Sequence, residues 1–416
     1  MSQTMPDTAH FADRIRTHRL GLARRLSDHL RNTTTDLAEG SLRIDPDIYV
    51  NKERFEAERQ RVFRETPLVA CLTTDIPNPG DFFTFDDTGV PIVVVRSRDG
   101  QVRAFLNVCP HRGARLVRAQ SGRAARFTCW FHGWTFMNDG KLLSAPEAKQ
   151  FGAGISDCNH LTALPAEEQH GLVFVVATPG VLLDLDSHLG DFGEQIELLE
   201  MQGLVPLQST LMTAKSNWKY ILDTFFENYH LPSMHSKTLA PNYRSDINIY
   251  DIYGLHFRFL QVARNMESWL LDGDEADWPL DHQLVGSNYI FPNVYITAAP
   301  RPALSDAPGG AFYAVFRIFP GESVGDTNIY LTLYGAPNES GNEYAAQIDS
   351  NLAAMVYLLT SEDFTMAEEA WLGLGAVPKG QTFIVGPQER LVQELELSIA
   401  ERAGMPLVEP LRQAAE

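Results

Sequence analysis

The chain has 416 residues, of which 44% are apolar and 21% charged, as is typical of a soluble globular protein long enough for two domains. A formal net charge of −19 disfavours nucleic acid and anionic membrane surfaces as partners. Because no apolar run approaches the ~18 residues of a membrane span and no secretory signal opens the chain, we expect a cytoplasmic protein with no membrane partner.

Residues 7–31 have the pattern of an amphipathic helix. Apolar residues recur on one face, and arginines occupy much of the remaining surface. We assign residues 1–44 to an N-terminal helical arm that makes packing or subunit contacts. The apolar positions are Phe11, Ile15, Leu22, Leu26 and Leu30.

Residues 45–165 are predicted to form a small all-β domain. A short helix at 52–64 precedes short runs that are rich in β-branched and aromatic residues. Asp99-Gly100, between two such runs, predicts a hairpin turn. The predicted strands are 68–72, 82–85, 92–96, 102–107, 127–129 and 134–138.

Two cysteine–histidine pairs carry the chemistry of this region. Cys109 and His111 form a C-x-H pair, and Cys129 and His132 form a C-x2-H pair. In a Rieske [2Fe-2S] cluster two Cys bind one iron and two His bind the other, so each loop can contribute one ligand to each iron. We therefore predict such a cluster between two loop tips.

A structural zinc site is the alternative for these four residues. Zinc sites of the Cys2His2 type usually pair like ligands, with C-x2–4-C followed by H-x3–5-H, which is not the order found here. The other two cysteines, Cys71 and Cys158, show no disulfide-scaffold spacing and are expected to be small buried side chains.

Six arginines lie in residues 101–138, a stretch that contains no Asp, Glu or Lys. They could steer an acidic electron donor to the cluster, or they could balance acids elsewhere in the fold. The six are Arg103, Arg112, Arg115, Arg118, Arg123 and Arg126.

Residues 166–416 mix strand and helix patterns. Strands are predicted at 211–216, 250–258, 287–298, 311–319 and 328–334, and helices at 217–231 and 342–371. This pattern predicts an α+β domain in which helices cover an antiparallel sheet.

A second metal site is predicted in this C-terminal region. His230 and His235 would point about 140° apart in an unbroken helix, but Pro232 allows the helix to end beside His230. Two imidazoles and one carboxylate form the facial triad of non-haem Fe(II) oxygenases. Asp363 is the preferred third ligand, and Glu362 is its rival.

With both motifs in this order, the sequence resembles the Rieske non-haem iron oxygenases, specifically the terminal oxygenase or α subunits of aromatic-ring-hydroxylating systems. The resemblance rests on the four cluster residues, on Asn217-Trp218-Lys219 leading to the two histidines, and on Asp363. It implies a Rieske domain followed by a helix-grip-like catalytic domain at 166–416. It also implies a homotrimer, possibly with β subunits.

The resemblance also gives a role to Glu227. In the family, a carboxylate three residues before the first histidine ligand bridges it to a Rieske histidine of the neighbouring subunit. Asp is commoner there, and Glu occurs in branches that act on quaternary ammonium compounds. Glu227 would lie one helical turn before His230; the alternative is a solvated glutamate on a helix.

The implied activity is the insertion of oxygen from O2 into an aromatic substrate, with electrons from NAD(P)H delivered by a separate reductase or ferredoxin. Oxidative demethylation or quaternary-ammonium oxygenation is an alternative within the family. A Rieske electron carrier and a zinc-stabilised binding protein are more distant alternatives. Aromatic and sulfur-containing side chains that could line a substrate pocket are Phe225, Phe226, Tyr229, Met234, Tyr289, Phe291 and Tyr295.

Overall fold

The computed structural model describes residues 8–152, 154–155, 159–301, 310–340 and 342–408. Cys158 and residues 1–7 of the predicted arm lie outside these ranges. The helix predicted at residues 7–31 is present as Thr8–Asn32. Its apolar face, which includes Leu22 and Leu26, packs in one core with Ile249 and Val262 of the large sheet. Because this face is buried against the sheet, the arm belongs to the C-terminal half of the fold.

The cluster region is an all-β unit, as predicted. Its main sheet has five antiparallel strands in the order Ala163–Leu164, Val102–Leu106, Ile92–Arg96, Asp81–Phe85 and Ser121–Arg123. A smaller sheet has the order Arg126–Thr128, Thr135–Met137 and Leu142–Ser144. The predicted hairpin turns at Gly100, where φ is +85°, a conformation that glycine adopts without strain. The two sheets share one core, which contains Cys109 and Cys129.

Two pairings cross the predicted domain boundaries. Leu68–Leu72 pairs with Leu172–Val175, which in turn pairs with Ala166–Gln169, so hydrogen bonds cross the boundary at residue 165. Leu42–Ile44 pairs with Phe383–Val385 near the other end of the chain. The division into 1–44, 45–165 and 166–416 stays a prediction.

The C-terminal region contains one antiparallel sheet of seven strands, which confirms the α+β prediction. The strand order is Val205–Ala214, Thr327–Gly335, Gly310–Pro320, Val294–Arg301, Ser287–Ile290, His256–Ala263 and Tyr243–Tyr253. Trp218–Phe225 and Asn342–Leu358 pack on it, since their buried residues Leu222 and Leu352 share a core with Phe316 and Leu331 of the sheet.

Short helices complete the structure. Lys52–Glu58 continues into a π-helical turn, Arg59–Arg64, and together they match the helix predicted at 52–64. The long C-terminal helix predicted at 342–371 is interrupted by a π-helical segment, Leu359–Asp363, before it resumes as Phe364–Leu374. The other helices are Asp47–Val50, Leu185–Leu189, Phe192–Glu197, Leu231–Met234, Glu267–Asp272 and Arg390–Ala403.

Two predicted strands are each a hairpin. The run at 250–258 turns at Gly254, where φ is +61°, so Tyr243–Tyr253 and His256–Ala263 pair with each other. The run at 287–298 turns between Ile290 and Val294. In both cases apolar residues continue through the turn, and this continuity concealed the break.

The predicted helix 217–231 was wrong at its C-terminal end, because Trp218–Phe225 stops six residues early. The carboxylate of Glu227 accepts a hydrogen bond from the backbone N–H of His230 at 3.1 Å. This bond closes a turn instead of continuing the helix. Glu227 and His230 are therefore neighbours across a turn and not along a helical face.

Candidate metal centres

The two cysteine–histidine pairs lie on loops with the same backbone hydrogen bonds. The N–H of Cys109 donates to Ala114 O, and that of Cys129 donates to Trp134 O, each at 2.8 Å. A glycine four residues after each cysteine donates back to the cysteine carbonyl at 2.9 Å and has φ above +70°. This tight turn folds the chain so that each tip presents one thiol and one imidazole.

The structure brings the four predicted cluster residues together. Both cysteines are buried and free, and the rings of His111 and His132 lie 4.5 Å apart between centroids. Trp134 stacks on His111 at 4.7 Å with an interplanar angle of 3°, which fixes the imidazole plane. Nδ1 of His111 is enclosed and has no hydrogen-bond partner in the described part of the chain, as expected of a ligand nitrogen.

The order of the ligands favours a binuclear centre over a zinc site. Each tip pairs one cysteine with one histidine, and the two histidine rings lie 4.5 Å apart between centroids. A Rieske cluster binds two cysteines on one iron and two histidines on the other, and this arrangement fits that division.

The local electrostatics suit a neutral imidazole, and backbone N–H groups give the cysteine sulfur partial support as a thiolate. Burial raises the pKa of Cys109, while backbone N–H groups of His111 and Arg112 oppose this shift by donating to the sulfur. Burial and the neighbouring His132 lower the pKa of His111, which keeps its imidazole neutral. Neutral imidazole and thiolate are the forms that bind metals.

The surroundings of the loops are exposed and partly basic. Trp130 is 79% exposed and Phe131 is 57% exposed. Three of the six arginines are paired with acids, as Arg103–Asp99, Arg115–Asp86 and Arg123–Asp81. Arg118 lies over the Trp130 ring at 5.5 Å, and Arg112 and Arg126 are exposed. About half of the basic stretch thus balances acids of the same domain, and the rest faces solvent.

The second candidate centre forms where two elements meet. His230 and His235 flank the short helix Leu231–Met234, and Asp363 ends the π-helical segment Leu359–Asp363. Their ligand atoms all lie within 4.8 Å of one another. Nε2 of His235 is 3.2 Å from Oδ1 of Asp363, and Nε2 of His230 is 3.7 Å from the same oxygen. The structure therefore unites the predicted triad.

A carboxylate contacts the outer nitrogen of each histidine. Glu227 hydrogen-bonds Nδ1 of His230, and Glu362 lies 2.6 Å from Nδ1 of His235. Both contacts leave Nε2 directed at Asp363, which orients the rings for a shared ion. Although burial alone would lower it, the pKa of His235 is raised by the carboxylates of Asp363 and Glu362, so the site attracts positive charge.

Glu362 is thus a partner of His235, on the side opposite the proposed third ligand. Thr238 Oγ1 donates to the same Glu362 oxygen at 2.7 Å and holds it in place. Sequence reasoning considered Glu362 only as a rival ligand and missed this role. The sequence did contain a signal for this role, namely the adjacent acids Glu362 and Asp363. Within a π-helical turn, two consecutive carboxylates can contact opposite sides of the same imidazole.

A cavity of about 360 Å³ adjoins the triad. Of the predicted pocket residues, Phe225 and Tyr295 line it. Phe226, Tyr289 and Phe291 are instead buried in the core, and Tyr229 is 70% exposed. The remaining residue of that set, Met234, does not line the cavity. Further aromatic walls come from Tyr243, Phe259 and Phe316, which sequence reasoning did not single out.

The comparison with known families agrees with this geometry. Residues 66–169 match the Rieske [2Fe-2S] domain, and residues 201–404 match the catalytic domain of the ring hydroxylating alpha subunit. The chain belongs to the Rieske non-haem iron oxygenases. Its first match contains both cysteine–histidine loops, and its second contains the whole His230, His235 and Asp363 triad.

Several characterised Rieske oxygenase subunits are similar in sequence. The glycine betaine monooxygenase oxygenase subunit of Pseudomonas aeruginosa is 30% identical over 214 residues, 50% of this chain and 49% of that protein. The benzene 1,2-dioxygenase subunit alpha of Pseudomonas putida is 32% identical over 219 residues, 50% of this chain and 48% of that protein. The matches therefore span about half the length of these relatives.

Solved structures show the same fold over most of the chain. A quaternary ammonium Rieske monooxygenase, CntA, in complex with an inhibitor has a TM-score of 0.72 at 21% identity, covering 91% of this chain and 98% of its own. Naphthalene 1,2-dioxygenase from Rhodococcus sp. has a TM-score of 0.65 at 18% identity, and the match covers 92% of this chain and 98% of that protein's chain. Among the helices of the described ranges, none is both long enough and apolar enough to cross a bilayer.

Proposed function

We propose that this chain is the terminal oxygenase component of a multicomponent system that inserts oxygen from O2 into an aromatic substrate. The observation that carries the proposal is the triad of His230, His235 and Asp363, which converges within 4.8 Å beside an aromatic-walled cavity in a chain that also has a Rieske domain. A Rieske electron carrier needs no such cavity or catalytic domain, so that alternative has no support.

Each set of side chains fits one metal group. Cys109, Cys129, His111 and His132 would hold a [2Fe-2S] cluster, and the triad would hold a mononuclear Fe(II). When bound, the cluster supplies one-electron transfer and the mononuclear iron supplies O2 activation. The protein fixes the ligand atoms in place, because backbone turns position the first set and carboxylates orient the second.

Glu227 is the proposed link between the two sets of ligands in a trimer. Its carboxylate holds Nδ1 of His230, and the neighbouring Tyr229 is 70% exposed, so this edge of the site lies near the surface. The tip with Trp130 and Phe131 is exposed as well. We propose that the tip of one subunit docks beside Glu227 of the next, in a homotrimer with or without β subunits.

An acidic reductase or ferredoxin is the proposed electron donor. Arg112, Arg118 and Arg126 are exposed near the cluster loops, although the chain as a whole has a formal net charge of −19. Opposite charges on the two partners would speed their encounter at low ionic strength. We place the system in the cytoplasm, where NAD(P)H is the source of electrons.

Oxidation of a quaternary ammonium compound or oxidative demethylation is the second candidate function. It is favoured by the similarity to a glycine betaine monooxygenase subunit, by the fold of CntA and by glutamate at position 227. The same ligand sets would serve it.

Product analysis under ¹⁸O-labelled O2 separates these functions. The purified chain is combined with a reductase and NADH and offered neutral aromatics, aromatic acids and methylated amines. We expect label in a hydroxylated aromatic product. Label in an aldehyde that is released together with a dealkylated amine would establish the second function, and the absence of label in every product would refute an oxygenase.

A further inference from the structure

The cavity beside the triad shares part of its lining with a second one. The outer cavity, of about 580 Å³, shares six lining residues with the inner cavity of about 360 Å³. The shared residues form a partly polar boundary, and they are Tyr243, Phe259, Gln261, Ser287, Thr297 and Ala298. These residues line both spaces and therefore form the boundary between the two cavities.

Three of the five aromatic residues that line the inner cavity form one contiguous wall. Phe225 stacks on Tyr295 at 5.1 Å with an interplanar angle of 20°. Phe316 lies 5.6 Å from Phe225 and 5.7 Å from Tyr295. These rings contact one another, so no ligand fits between them. A contiguous wall of this kind suits a flat ring.

The inner cavity also offers no counterion for a carboxylate. None of the described residues that line it is Lys or Arg. The segment 302–309, which follows the lining strand Val294–Arg301, contains no Lys or Arg in its sequence. Glu227, which also lines the cavity, would repel an anion. Arg264 and His282 line only the outer cavity, and burial of an unpaired carboxylate is strongly unfavourable, so the inner cavity selects uncharged groups.

Gln261 is the unsatisfied polar group at the boundary. Its Oε1 is enclosed, and no hydrogen bond reaches it from the described residues. Ser287, by contrast, is satisfied within the same wall, since it accepts from the Tyr295 hydroxyl at 2.6 Å. A glutamine carboxamide can turn about χ3 to present either its oxygen or its nitrogen. A ligand that hydrogen-bonds to Gln261 would remove the cost of the unpaired amide.

We propose that Gln261 is a specificity-determining residue that selects a neutral, flat aromatic substrate with one hydrogen-bonding substituent, such as a phenol. The ring lies against Phe225, Tyr295 and Phe316, and the substituent bonds to the Gln261 carboxamide at the boundary of the two cavities. This inference rests on the proposed oxygenase function and names the substrate class for it.

Equilibrium dialysis of the metal-loaded protein tests the inference with three ligands of one shape: 4-methylphenol, para-xylene and 4-methylbenzoate. The informative quantity is the dissociation constant of para-xylene divided by that of 4-methylphenol. We expect this ratio to fall about tenfold in Gln261→Leu, which replaces the amide by an apolar group of similar size. We expect 4-methylbenzoate to bind at least about tenfold more weakly than 4-methylphenol to the wild type.

The matched control is Asn351→Leu, which alters another amide of the inner cavity. Asn351 already donates to Gln347 O at 3.0 Å, so its replacement should leave the ratio unchanged. An equal ratio in the wild type and Gln261→Leu would overturn the role of Gln261. Binding of 4-methylbenzoate as tight as that of 4-methylphenol would overturn the selection of neutral substrates. Dialysis requires neither reductase nor turnover. If only the oxygenase proposal is wrong, the protein will be inactive, but the ratio of dissociation constants will still fall in Gln261→Leu.

Discussion

The cluster ligands all lie between residues 109 and 132, whereas the triad spans residues 230 to 363. The first set is held by backbone hydrogen bonds within two short turns. The second set is held by side chains, because Glu227 and Glu362 orient the two imidazoles. One centre is therefore built locally and the other by tertiary contacts. Conservative changes of single carboxylates should therefore impair the function of the second centre, through its electron supply or its iron affinity, and leave the first intact.

The largest effect is expected for Glu227→Gln. The amide has the same size as the carboxylate but carries no negative charge. The variant therefore loses the proposed link between subunits. We expect turnover to fall by about 100-fold or more, while both iron contents stay unchanged. Oxygen uptake, product yield and metal analysis check this. Glu401→Gln, at an exposed position on Arg390–Ala403, is the charge-matched control. Normal coupled turnover in Glu227→Gln would exclude the linking role.

A smaller effect is expected for Glu362→Gln, which weakens the support of His235. We expect the mononuclear iron to be bound about 10- to 100-fold more weakly, as competition with a chelator would measure. Thr238→Val removes only the hydrogen bond that holds Glu362, so the iron affinity should decrease less than in Glu362→Gln. The visible spectrum of the cluster should not change in either variant. Unaltered iron affinity in Glu362→Gln would show that this contact has no supporting role.

The smallest effect on activity is expected for Glu396→Gln. This variant should change the pH dependence of the free energy of unfolding. Burial raises the pKa of Glu396 to about 7 from its ordinary 4.5, although Lys219 opposes this shift. As pH rises through this window, the unfolded chain releases a proton that the folded chain retains, so folding becomes less favourable. The wild type should lose about 3 kcal/mol between pH 4.5 and 8 through this group alone.

Glu396→Gln should not show this loss. Urea unfolding of both proteins across the pH range measures the difference between their free energies of unfolding. That difference should shift by about 3 kcal/mol in favour of the variant as pH rises. Parallel pH profiles would mean that Glu396 ionises normally in the folded protein.

The contrast between the centres also explains what could be predicted from the sequence. The cluster loops were predictable because ligand type, spacing and turn glycines all lie in one short stretch. The α+β fold and most strands followed from apolar periodicity. The triad was predicted from His230 and His235 only together with the upstream motif, since their spacing alone does not define a metal site.

Three local features could not be predicted, because each departs from the average preference of its segment. The turn at Glu227 depends on a side-chain hydrogen bond that competes with the helix, and helical periodicity does not report it. The role of Glu362 requires a π-helical segment inside a helix that reads as continuous. The hairpin turn at Gly254 lies within an unbroken apolar pattern. In each case a local contact outweighs the average preference of the segment.

Iron analysis with visible spectroscopy on three proteins tests the central claim, that two separate ligand sets in this chain hold two different metal groups. The wild type should contain about three irons per chain and be coloured. Asp363→Ala should keep the colour with about two irons, and Cys129→Ser should lose the colour and keep about one. A colourless wild type with stoichiometric zinc, or loss of both centres through Asp363→Ala alone, would contradict the account.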